Sequence, residues 1–176
     1  MSTIETEASS GAPHSFTREQ LETLFAEAAR TGNAEIVVGL LDAGIEPNLR
    51  DARGYPVLTL AAYNGEAATT DILLARGAPV DGRDEKGSTA LMGVAFKGDI
   101  HIARRLIEAG ADINTVNASG QTALMMAALF GRADMARLLL EHGADSAIRD
   151  LSGKTAHDLV LSQGNADMAR LLETAA

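Results

Sequence analysis

The sequence predicts an all-α repeat solenoid built from helix-turn-helix units joined by tight turns. Three observations carry this reading. Glycine recurs in three series with one common step of 33 residues: Gly54, Gly87, Gly120 and Gly153; Gly32, Gly65, Gly98, Gly131 and Gly164; Gly44, Gly77, Gly110 and Gly143. Polar and apolar columns keep the same register, among them Asp51, Asp84, Asn117 and Asp150, then Leu58, Leu91 and Leu124, then Ala62, Ala95 and Ala128, then Leu73, Leu106 and Leu139. Between the glycines the apolar residues fall at helical spacing, which is the pattern of a repeat architecture.

The unit can be justified element by element. In Asp84-Glu85-Lys86-Gly87 the glycine closes a tight turn that needs positive φ. Thr89 then caps a short helix running to Lys97, which Gly98 ends as a left-handed cap. A second helix, about Ile100 to Ala109, carries Ile102, Leu106 and Ile107 on one face, and Gly110 ends it. Ala111-Asp112-Ile113-Asn114 returns the chain to the next turn. Gly93 falls inside a first helix where other units have Leu60 and Met126, so alanine there is expected to stabilise if φ is negative. At the start, Thr17 with Gln20 reads as a capping box and Phe16 on Leu21 as a hydrophobic staple. At the far end His157 replaces the core leucine column, which predicts a less well packed last unit.

Composition narrows the function classes. The chain has 176 residues, a net charge of −9, no cysteine, no tryptophan and only 3% aromatic residues. Acidity disfavours general nucleic-acid binding, which needs clustered Lys and Arg. Absence of cysteine excludes disulfides, thiolate zinc sites and a cysteine nucleophile. Met1 to Pro13 is acidic and Ser/Thr-rich, unlike a secretory signal, and no apolar run reaches the ~20 residues of a membrane span. A cytoplasmic monomer is expected, with a disordered acidic tail over residues 1–14 and a repeat domain over 15–176, its units at about 17–50, 51–83, 84–116, 117–149 and 150–176.

No chemistry is legible. His14, His101, His142 and His157 have no partner at metal-ligand spacing, and no nucleophile–base pair can be named. Gly153-Lys154-Thr155 matches only the last letters of a phosphate loop, and the repeat register already explains it. The expectation is a non-enzyme with no catalytic residues, no metal and no cofactor.

The segments Gly120-Gln121-Thr122-Ala123-Leu124-Met125-Met126-Ala127-Ala128 and Leu138-Leu139-Leu140-Glu141-His142-Gly143-Ala144-Asp145 resemble the ankyrin-repeat family. Ala123 and Met125 stand where the family pattern has Pro and His. The resemblance spans about Leu21 to Glu173 and implies five repeats, each a hairpin-like turn and two antiparallel helices, stacked into a curved slab whose turn tips and first-helix ends face a concave binding side. The register then gives a candidate partner-binding set of Arg53, Tyr55, Tyr63, Lys86, Phe96, Lys97, Leu129, Phe130 and Lys154, with Arg30 beside it. Four of the six aromatic residues, and all three lysines, fall in these columns. Aromatics displayed together favour an interface, and the basic fringe favours an acidic protein partner. The alternative for the aromatics is that they cover the short helices and pack on one another.

Ala90-Leu91-Met92-Gly93-Val94-Ala95-Phe96-Lys97-Gly98 and Ala127-Ala128-Leu129-Phe130-Gly131 are also similar to small bacterial ankyrin-repeat proteins encoded beside catalases. That resemblance implies an accessory role in haem-enzyme maturation or oxidative-stress defence, with Tyr63 or Tyr55 the candidate for any haem contact. A third class is an inhibitor or antitoxin of a neighbouring enzyme.

Overall fold

The computed structural model describes residues 16–173. The acidic tail expected over residues 1–14 lies outside the described residues. Ten helices follow one another in five pairs. The first members are α1 (Arg18–Thr31), α3 (Val57–Tyr63), α5 (Ala90–Lys97), α7 (Ala123–Leu129) and α9 (Ala156–Ser162). The second members are α2 (Ala34–Asp42), α4 (Ala67–Ala75), α6 (Ile100–Glu108), α8 (Ala133–Glu141) and α10 (Ala166–Glu173). First helices stack on first helices and second on second, forming an inner and an outer row.

Apart from α1, each helix has only seven to nine residues, too short to persist alone in water. Stacking therefore supplies the stability. The leucine column Leu58, Leu91 and Leu124 is buried, and so is the outer-row column Leu73, Leu106 and Leu139. Each such side chain contributes ~1.5–3 kcal/mol on burial. Ala62, Ala95 and Ala128 are buried between successive inner helices. Their small side chains let the inner row pack more closely than the outer, which makes the inner row the concave side.

The glycine series have a common cause. Every described residue with positive φ is a glycine, and together they make up the three series. At Gly120 a Cβ would lie 2.8 Å from the Leu151 backbone nitrogen, so space as well as φ demands glycine there. Gly98 caps α5 in the left-handed conformation, as expected.

Between repeats the acidic column serves the turns. One carboxylate oxygen of Asp84 accepts from the Lys86 and Ser88 backbone N–H groups at 2.8 Å each. Asp51 and Asp150 do the same for their own turns, and Asn117 does so with its amide oxygen. Neighbouring turns are stitched by Ala118 N–H to the Lys86 carbonyl at 2.9 Å and Leu151 N–H to the Ser119 carbonyl at 3.0 Å. Arg83 donates to the Val116 carbonyl, and Arg50 to those of Gly54 and Arg83.

The ends differ in quality. Thr17 and Gln20 form the expected capping box. Phe16, however, stays 65% exposed, so little of it is buried by a staple on Leu21. His157 is half-buried in the leucine column, with Nε2 3.1 Å from Glu173 Oε1. Leu161 occupies the column that is buried alanine in the middle repeats, yet it is exposed because no further helix pair covers it among the described residues.

Candidate functional site

Three inner helices place an aromatic run on the concave face. Tyr63 ends α3, Phe96 lies in the last turn of α5, and Phe130 is the residue that caps α7. The Tyr63 and Phe96 rings are stacked at 6.4 Å between centroids, and Phe130 meets Phe96 edge-on at 4.3 Å. Such pairs are worth ~0.5–1.5 kcal/mol each beyond area burial. The rings pack on one another, yet Tyr63 remains 39% and Phe130 48% exposed. Lys97 Nζ lies 4.9 Å from the Tyr63 ring centroid, over its face.

Beside this run is a hollow of about 500 Å³. Its floor is Leu60, Met92, Gly93, Phe96 and Met126, and its walls include Arg30, Arg53, Tyr55, Tyr63 and Ser88. Of the residues expected from the register, Arg53, Tyr55, Tyr63 and Phe96 are thus brought around one cavity. Lys97 and Phe130 join it through ring contacts. Lys86, Leu129 and Lys154 do not line it: Leu129 is half-buried on α7, Lys86 is exposed at a turn, and Lys154 sits two turns away beside Asp150.

A family model described as ankyrin repeats, three copies, matches residues 25–117 and 92–175. The chain belongs to the ankyrin-repeat family. It is 45% identical over 53 residues to a putative ankyrin repeat protein of Pseudomonas aeruginosa, a stretch covering 30% of each chain. The aligned part therefore spans less than a third of that relative's length. Ankyrin repeats are generally protein–protein interaction modules, and typically non-enzymatic.

Within the ankyrin array, two residues outside the candidate partner-binding set shape the aromatic run. Gly93 is one. Its φ is not positive, and a Cβ there would lie 3.2 Å from Tyr63 Cδ2, so the missing side chain is the seat of the Tyr63 ring. The expected gain in helix propensity from alanine is opposed by this contact, because the Tyr63 ring must shift by a few tenths of an ångström to admit a methyl. Arg132 is the other. Its Nε donates to the Phe96 carbonyl at 3.0 Å, and its Cδ passes where a Cβ on residue 98 would stand at 2.9 Å. Neither was legible, because both act across repeats at separations that no local pattern reports.

Among the described residues no group of three or more His, Asp or Glu side chains is placed to hold a metal ion, and no helix is long and apolar enough to cross a membrane. His101 is exposed on α6, and His142 Nδ1 lies 2.8 Å from the Leu138 carbonyl at the end of α8. His14 lies outside the described residues.

Proposed function

We propose that this protein holds a partner protein across its middle repeats, through the concave groove and the turn tips. The observation that carries the reading is the run Tyr63–Phe96–Phe130, half exposed beside an apolar-floored hollow. The repeat framework explains the buried leucines and alanines, but it does not require three large rings at the ends of consecutive inner helices. Aromatic side chains lose little conformational freedom on binding and dominate interface energetics, at ~2 kcal/mol or more per anchor. Lys86, Leu129 and Lys154 extend the proposed face beyond the hollow along the same columns.

The aspartates support a binding module over an enzyme. Asp51, Asp84 and Asp150 each have one carboxylate oxygen committed to two turn amides. Alanine at any of them should lower stability, with no separable loss of a turnover activity. A variant that folds normally but loses a measurable reaction would contradict this. The face itself is tested by affinity capture with Phe96→Ala combined with Phe130→Ala, which should lose the partner while helical content is kept.

A further inference from the structure

Charge on this molecule is sorted by position. Although the chain carries −9 overall, its cations are mostly spoken for. Arg18, Arg76, Arg105, Arg137 and Arg170 are ion-paired with nearby carboxylates on the outer surfaces and helix ends, and Arg30 with Glu27 and Asp51. Arg50, Arg83, Arg132 and Arg149 donate to backbone carbonyls. Among the described residues, the cations left without an ion pair or hydrogen bond from the side chain are Arg53, Lys86, Lys97, Lys154 and Arg104. Arg53 lines the hollow, Lys97 lies over the Tyr63 ring beside it, and Arg53 and Lys86 occupy equivalent places in successive turns.

Two carboxylates next to the hollow are tied into the turns, and a third, Glu85, lies against Gly54. Asp84 is held by turn amides, and Asp51 by turn amides and Arg30. Arg53 therefore lines the hollow with no carboxylate bonded to its side chain, whereas Asp84, also on the wall, keeps its charge but is fixed in place by its turn. The hollow also holds hydroxyls that can donate to a carboxylate. The Tyr55 and Tyr63 hydroxyls have no hydrogen-bond partner among the described residues. On the floor, the Thr59 hydroxyl is buried without a partner, in a side chain only 9% exposed.

Resting on the groove reading above, we propose that the occupant of this hollow is an extended, acidic segment of the partner protein. One apolar side chain of that segment fills the floor against Leu60, Met92 and Phe96. An adjacent aspartate or glutamate is received by Arg53, with Lys86 and Lys97 drawing in further carboxylates. The planar guanidinium suits a carboxylate held two-pronged, whereas the lysines act as point charges. Arg53 is thus a specificity-determining residue, and the aromatic run supplies the affinity.

The test is selection of short random peptides displayed on phage against the immobilised full-length chain, followed by sequencing. Enrichment of Asp or Glu next to Leu, Phe, Tyr or Trp is expected. A selected peptide should bind roughly tenfold more weakly to Arg53→Glu, and weaken with rising salt. Arg53 is exposed and unpaired, so this change leaves the fold intact, as a melting curve will verify. Enrichment of neutral or basic peptides, or binding lost in Phe96→Ala but unchanged in Arg53→Glu with Lys97→Glu, overturns the acidic-segment proposal while sparing the groove. Selected peptides that bind equally to Phe96→Ala with Phe130→Ala overturn the groove reading itself. A stable dimer dispersed by Phe96→Ala would assign the hollow to a second copy of this chain, and an absence of any enrichment would also overturn the proposal.

Discussion

At Gly93 two effects of similar size oppose each other. Alanine would gain about 1 kcal/mol of helix propensity. Its methyl would also press on the Tyr63 ring, which is at the surface and can swing outward, giving up a stacking contact of ~0.5–1.5 kcal/mol. Gly93→Ala should therefore change stability by less than ~0.5 kcal/mol while weakening the near-ultraviolet circular dichroism of Tyr63. A loss above ~2 kcal/mol would show that the ring cannot yield. Asp150 gives a second prediction at this scale. The Ser152 hydroxyl first, then the Lys154 backbone N–H, hold its carboxyl below the ordinary value of 3.8. Asp158 is lowered likewise by the Thr155 backbone N–H and hydroxyl. A carboxyl with a depressed folded pKa contributes stability that is complete above its unfolded pKa and lost as pH falls through the folded one. The last repeat should accordingly weaken as pH drops below about 3.8. Asn117 makes the same two turn bonds without titrating. Asp150→Asn should then keep the turn and reduce the acid sensitivity, and an unchanged acid transition would count against this assignment.

Among the elements, the inner helices show how far a local rule can be read. Thr89, Thr122 and Thr155 cap α5, α7 and α9 as their place after the turn suggests. In α3 the same column holds Pro56, which offers no oxygen, and the Val57 N–H bonds to the Leu49 carbonyl instead, at 2.9 Å. Thr122→Ala removes the acceptor for the Met125 N–H and should cost about 1 kcal/mol in urea denaturation, with little change in its slope. Helix bounds, caps and turn glycines were legible because each depends on residues within four or five positions. The ring contacts were only half legible. A step of 33 brings Tyr63, Phe96 and Leu129 into one column, but Phe130, one residue further on, is the ring that touches Phe96. α3 and α7 end at equivalent register positions, Tyr63 and Leu129, so the helix bounds do not mark which of two adjacent residues meets Phe96. Arg132 also escaped notice, since its bond to Phe96 joins residues 36 apart.

At the scale of the whole molecule, a stack in which each unit touches only its neighbours should unfold from its weakest end. Half-buried His157 and uncovered Leu161 mark the last helix pair as that end. Amide hydrogen exchange should be fastest in α9 and α10 and slowest in α5 and α7. The same stacking is what turns isolated side chains into a binding face, because it sets the ends of α3, α5 and α7 side by side. The central claim is that this concave face, and not the outer row, holds the partner. It is tested most directly by comparing two double variants as affinity baits in extracts of the native cell. Phe96→Ala with Phe130→Ala should lose the polypeptide that the unaltered chain captures, with helical content kept although two ring contacts worth ~0.5–1.5 kcal/mol each are removed. Arg104→Ala with Arg137→Ala, on the outer helices α6 and α8, should retain it. Retention by the groove variant and loss by the outer variant would place the binding face on the other side of the slab.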